Sequence, residues 1–219
     1  MNAPKRGIAE TRSAVLAAAL PHAGFDGFTD AMLRKAAEEA GVSPAETHAA
    51  FPEGATSLVE AFSAWADVRM AERLKRRDIA KLRVRERIAA AVRARIEAMD
   101  AHREAARRAA SFLALPSHAA RGASLLYRTV DAMWRAAGDR STDFNFYTKR
   151  GILAGVYGAT LLHWLGDDSE GHEKTWAFLD ARIEDVMDFE KFKADARRVI
   201  ANLPDPIAIL RRLGGDASS

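Results

Sequence analysis

The stretch Phe25-Asp26-Gly27-Phe28-Thr29-Asp30-Ala31-Met32-Leu33-Arg34-Lys35-Ala36-Ala37-Glu38-Glu39-Ala40-Gly41-Val42-Ser43-Pro44-Ala45-Glu46-Thr47-His48-Ala49-Ala50-Phe51-Pro52 decides the fold. Phe25 to Thr29 reads as a turn, with Thr29 as the N-cap of a helix over 30–40. Gly41-Val42-Ser43 is a tight turn. Ser43-Pro44-Ala45-Glu46 then has the capping-box pattern, with Pro at the first helical position, and opens a helix over 44–50. A helix over 8–21 precedes the pair and carries Val15, Leu16, Ala19 and Leu20. Two helices joined by so short a turn form a helix-turn-helix.

Helical signals continue to the end of the chain. Ala, Arg, Leu and Glu dominate, apolar residues recur every three to four positions, and period-2 segments are absent. The pattern predicts helices over 56–77, 83–99, 102–113, 119–137, 142–165, 170–193 and 206–213, with breakers at Pro52, Gly54, Pro116, Gly138, Gly166, Pro204 and Pro206. The predicted class is all-α, a helical bundle with a helix-turn-helix-like head over 1–55. The bundle covers 56–195, and an amphipathic segment with a frayed tail covers 196–219. In order and spacing the head resembles that of TetR-type regulators, which bind DNA through the helix after the turn. A ligand-responsive regulator is therefore the alternative reading. Its chemistry is unfavourable, because residues 43–50 hold no Lys or Arg and place Glu46 where phosphates would lie. DNA affinity rests largely on cations that neutralise phosphates. No nucleic-acid partner is expected.

The bulk composition narrows the classes further. The 219 residues contain no Cys, which excludes disulfides, thiolate metal sites and a Cys nucleophile. Met1 to Glu10 show neither a signal nor a transit pattern, and no run approaches the roughly 20 apolar residues of a spanning helix. The expectation is a protein of the bacterial cytoplasm, soluble or peripheral on the inner membrane. Net charge is +3 but unevenly spread. Arg69 to Arg108 holds 14 Lys/Arg against 6 Asp/Glu, whereas Thr29 to Glu60 holds 2 against 6. The basic run reads either as a solvated face laced with local ion pairs or as an attraction to anionic lipid or an acidic partner.

Motifs of catalysis are missing. His22, His48, His102, His118, His163 and His172 are scattered, with no H-E-x-x-H or Glu-x-x-His pair, and no P-loop, G-x-S-x-G or G-x-G-x-x-G occurs. Asp167-Asp168 reads as a cap for the helix that follows, and His163 as a hydrogen-bonded core residue. No catalytic residue, metal site or cofactor is expected.

The helix over 142–165 is unusual. From Gly151 to Leu165 it carries no charge, yet its head, Gly138-Asp139-Arg140-Ser141-Thr142-Asp143-Phe144-Asn145-Phe146-Tyr147-Thr148-Lys149-Arg150, interleaves charges and aromatics. Asp143, Phe146, Tyr147 and Arg150 share one face by their spacing. They form either a local Asp–Arg network or a protein-docking patch, since interface anchors favour aromatics and Arg. Gly151, Gly155 and Gly158 admit close approach of another backbone. Packing within the chain is expected, with cavity lining in addition; a homodimer face is the alternative.

That head, with Asp131-Ala132-Met133-Trp134 before it and Asp168-Ser169, Thr175-Trp176-Ala177-Phe178-Leu179-Asp180 and Arg182-Ile183 after it, resembles the Coq-nine family of coenzyme Q biosynthesis proteins. Phe25 to Thr29 matches as well, and the resemblance runs over about 8–193. It implies a TetR-like fold without DNA regulation. It also implies an apolar cavity for isoprenoid quinone intermediates or phospholipids, attachment to the membrane surface, and support of the di-iron demethoxyubiquinone hydroxylase. The family's docking patch maps onto Asp131, Asp143, Phe146, Tyr147 and Arg150. Phe146 departs from the family's frequent Trp and lacks the indole N–H donor. The family's membrane helix corresponds to Ile207, Ile209, Leu210, Arg211, Arg212 and Leu213, apolar residues around two cations. Helix phase and bulk nominate Met133, Trp134, Leu153, Tyr157 and Trp164 as lipid-lining residues.

Overall fold

A computed structural model describes residues 6–139 and 145–186. Among these residues all regular structure is helical. The head comprises α1 (Ile8–Asp26), α2 (Asp30–Glu39) and α3 (Pro44–Ala50). The bundle comprises α4 (Ala55–Lys75), α5 (Val84–Ala98), α6 (Arg103–Ala114), α7 (Ala119–Ala136) and α8 (Asn145–Leu165). A further helix, α9, covers 173–186. The described residues up to Asp180 form one compact unit; Ala181–Ser219 is a second, of which 181–186 are described. The predicted helix over 206–213, the stretches 142–144 and 187–193, and residues Asp143, Ile207, Ile209, Leu210, Arg211, Arg212 and Leu213 lie outside the described residues, as does the Phe146 side chain.

The head folds on its caps. Thr29 accepts from Met32 N at 3.1 Å, and Gly41 makes the turn with φ of 65°. Ser43 Oγ accepts from Glu46 N at 3.3 Å, while Glu46 Oε2 accepts from Ser43 N at 3.1 Å, which completes the capping box. Each such cap contributes about 1 kcal/mol. Phe28 from the head meets Phe62 of α4 with ring centroids 5.8 Å apart. A second tie lies at the α4 N-terminus, where Asp30 Oδ1 accepts from Ala55 N at 2.8 Å. Gly54 beside it has φ of 57°, and a Cβ there would collide with the Asp30 carboxylate.

One boundary differs from the sequence pattern. The first helix does not stop at Pro21 but continues to Asp26. Proline removes one backbone donor and crowds the carbonyl four residues earlier. Here Pro21 and Ala17 both face solvent, so water can satisfy the Ala17 carbonyl, while Leu20 and Ala23 remain buried.

Much of the basic run is engaged by contacts within the chain, although most of its cations stay exposed. Arg73, Arg77 and Arg93 converge on Glu97. Arg87 donates to the Leu82 and Ala137 carbonyls. Arg103 donates to the carbonyls of Trp164 at 2.7 Å and Asp167 at 2.6 Å, and Arg107 donates to that of Leu165. Cations thus close the C-terminal end of α8, whose stretch 151–165 carries no charge and whose last carbonyls lack helical partners.

Candidate functional site

Helices α4 to α8 enclose a cavity of about 310 Å³. This is the lower end of the range for ligand pockets, about 300–1,000 Å³. Part of its wall is small or aliphatic, with Ala106, Ala109 and Ala110 from α6, Leu125 from α7 and Gly158 from α8, and Phe62 and Met99 add larger apolar surface. Small side chains at facing positions leave the space that larger ones would fill. At the rim Leu113, Leu126 and Leu161 are half-buried, and Leu162 is 67% exposed. The cavity therefore grades from a closed interior to an apolar opening.

The inner wall is polar. Arg95 is 4% exposed and donates from Nε to Asp67 Oδ1 at 2.7 Å, from one terminal nitrogen to Ser63 Oγ at 3.0 Å, and from the other to the Tyr157 hydroxyl. Thr129 Oγ1 donates to the same Asp67 carboxylate at 3.1 Å. The cation is thus matched by one carboxylate and two hydroxyls, and Thr129 supports the carboxylate, as a buried charge requires. Burial pushes the Tyr157 hydroxyl above the ordinary tyrosine value, so it keeps its proton. Four of the five members, Ser63, Arg95, Thr129 and Tyr157, line the cavity.

Of the residues nominated as lipid-lining, Tyr157 stands on this wall. Met133, Leu153 and Trp164 are buried in the packed core, with at most 3% exposure. Trp134 covers the start of α8, its indole N–H donating to the Lys149 carbonyl at 3.3 Å. Bulk selects side chains that fill space, whereas part of this void's lining, Ala106, Ala109, Ala110 and Gly158, is too small to fill it. Arg95 had a legible signal. It falls in phase with Ile88, Ala91, Val92 and Met99 on the buried stripe of α5, where a charge is out of place.

The docking-patch residues divide by burial. Arg150 is 2% exposed and pairs with Asp131 at 2.7 Å and Asp139 at 3.7 Å; Asp131 also pairs with Arg135 at 2.7 Å. This network ties α8 to α7. Tyr147, one turn earlier, is 69% exposed. The glycines differ from the packing expectation: a Cβ at Gly151, Gly155 or Gly158 would meet nothing within 4 Å. No neighbouring backbone among the described residues requires them to be glycine. Gly158 borders the cavity, and Gly151 and Gly155 are exposed.

Asp167 behaves as its sequence context implies. Its carboxylate accepts from Ser169 N at 2.9 Å, Ser169 Oγ at 2.6 Å, Thr175 N at 2.8 Å and Thr175 Oγ1 at 2.6 Å, and so caps α9. Hydrogen bonds from Ser169 and then Thr175 hold its pKa well below the usual carboxylate range. His163 lies 3.3 Å from Thr175 Oγ1 and stacks on Phe178 at 4.6 Å. No described helix is long and apolar enough to cross a membrane.

Residues 119–190 match the COQ9 family model. The chain is similar to the mitochondrial ubiquinone biosynthesis protein COQ9 of Drosophila melanogaster, 34% identical over 82% of this chain and 56% of the fly protein. It is also similar to that of Homo sapiens, 30% identical over 92% of this chain and 66% of the human protein. The Rattus norvegicus protein is 42% identical over 49% of this chain and 36% of its own length. The chain thus spans about half the length of its curated relatives. In fold it is similar to a TetR transcriptional regulator from Nitrosomonas europaea, with a TM-score of 0.63, 22% identity, and coverage of 79% of this chain and 95% of that one.

Proposed function

The chain belongs to the COQ9 family, and from that premise we propose that it is a lipid-binding accessory protein of ubiquinone biosynthesis. In this reading it shelters isoprenoid quinone intermediates in the α4–α8 cavity, presents them to the di-iron demethoxyubiquinone hydroxylase, and performs no chemistry itself. The observation that carries the reading is the cavity, apolar along most of its wall and open at a leucine rim. Each CH₂ withdrawn from water contributes about 0.8 kcal/mol, so a polyprenyl substrate leaves a membrane only into such surroundings. The protein works at a membrane surface, and the bacterial inner membrane is the proposed location.

For the partner, the proposed contact face centres on Tyr147. Asp131 and Arg150 act beneath it, holding α8 against α7. By the family resemblance Asp143 and Phe146 are assigned to the same proposed face. Mass spectrometry of lipids carried by gently purified protein tests the cargo. The expected result is an isoprenoid quinone or its precursor; protein that is lipid-free and also ignores added quinone overturns the reading. Tyr147→Ala tests the face more cleanly than any change at the buried Arg150, and it is expected to weaken hydroxylase binding with a smaller loss of thermal stability than Arg150→Ala.

A further inference from the structure

The polar wall of the cavity bears on how a ligand lies in it. Arg95 is fully engaged by Asp67, Ser63 and Tyr157, and its charge is matched by the Asp67 carboxylate. The two hydroxyls that receive its protons are only half used. Tyr157 accepts from Arg95 and has a proton of its own to give; Ser63 does the same. Neither hydroxyl has an acceptor for that proton among the described residues, and both residues line the cavity. A buried donor without an acceptor carries an appreciable desolvation cost. A ligand oxygen placed at this wall removes it. The neighbouring guanidinium polarises the Tyr157 hydroxyl and strengthens its donation.

We infer that the cavity takes a neutral oxygen-bearing ring head-first, with a ring carbonyl accepting from Tyr157 and Ser63 and the hydrocarbon tail leaving past Leu161 and Leu162. This rests on the lipid-binding reading above and adds to it the orientation of the ligand and the two side chains that hold its head. The gradient of exposure supports the direction. Tyr157 lies at the buried end, 4% exposed, with Ser63 half-buried beside it, whereas Leu162 at the open end is 67% exposed. Size supports it as well, because 310 Å³ accommodates a substituted ring and the start of a chain but not a long polyprenyl tail. Charge selects the head. With Arg95 already neutralised by Asp67, a phosphate or carboxylate brings an unmatched buried charge. A quinone carbonyl brings an acceptor without one.

Binding of three probes to wild type and to Tyr157→Phe tests this: a ubiquinone with two isoprene units, the oxygen-free hydrocarbon farnesene, and farnesyl monophosphate. The quinone is expected to bind wild type most tightly. Tyr157→Phe is expected to weaken it about threefold to tenfold, the usual net worth of one hydrogen bond, and to leave farnesene unchanged. The infrared carbonyl stretch of the bound quinone gives a readout independent of affinity. It should lie at lower frequency in wild type than in Tyr157→Phe, and Ser63→Ala should move it part of the way. Unchanged quinone affinity and an unchanged carbonyl stretch overturn the head-first orientation while the cavity still binds lipid. Farnesyl monophosphate binding more tightly than the quinone overturns the choice of a neutral head. Failure of all three probes to bind overturns the lipid reading and this inference together.

Discussion

Replacing Arg95 by Met should destabilise the protein through Asp67 more than through lost packing. Met keeps much of the apolar stem of Arg95, so the transfer and cavity terms stay small. What remains is the Asp67 carboxylate, whose side chain is 19% exposed, with Thr129 as its one remaining hydrogen-bond donor. Removing one member of a buried ion pair costs about 3–5 kcal/mol, and partial exposure of Asp67 lowers this to about 2–4 kcal/mol. For a domain of this size that corresponds to a fall in Tm of roughly 5–15 °C. Urea denaturation of Arg95→Met, Asp67→Leu and the double variant provides the assay. Because one charge without the other is the costly state, the double variant should be more stable than Arg95→Met, with a coupling energy of about 1–3 kcal/mol. A single variant within 1 kcal/mol of wild type, or strictly additive effects, refutes the claim that Arg95 and Asp67 form one buried unit.

The remaining predictions concern the head, the α9 cap and the α8 face. Gly54→Ala should cost about 1–3 kcal/mol, since it meets both a left-handed backbone and the Asp30 carboxylate; in an Asp30→Ala background, calorimetry should show a smaller penalty. Asp167 is held below its unfolded pKa, so its contribution is fully present above the ordinary carboxylate value and is lost as pH falls through and below it. Asp167→Asn should therefore lower stability at neutral pH and flatten the acid limb of the stability–pH curve, as measured by chemical denaturation. Gly151→Ala and Gly155→Ala should each stabilise α8 by about 0.5–1 kcal/mol, because the new methyl meets nothing among the described residues; loss of stability together with loss of a dimer in sedimentation would instead show that a second copy packs on those glycines.

Much of the fold is legible because it is written in local signals. Ser43, Pro44 and Glu46 specify a helix start by their own hydrogen bonds, and the structure places α3 where they imply. The cap formed by Asp167 follows from the same kind of short-range chemistry. Pro21 misleads because its effect depends on which side of α1 faces water, and tertiary packing settles that. The cavity misleads more deeply. Its lining depends on where five helices fail to fill space, so Ala109 and Gly158 matter through what they lack. Met133 and Trp164 attract notice by size and belong to the filled interior. Arg95 and Asp67 are 28 residues apart on different helices, and no spacing rule joins them.

The most direct test of the account is a calorimetric titration of the two-isoprene ubiquinone into wild type and Gly158→Leu. Gly158 borders the cavity and a Cβ there meets nothing within 4 Å among the described residues, so leucine brings a branched side chain to the cavity wall and removes a mid-helix glycine. The predicted result is loss of quinone binding in a variant about 1 kcal/mol more stable than wild type. Equal quinone affinity in the two proteins would contradict the claim that this cavity is where the lipid sits.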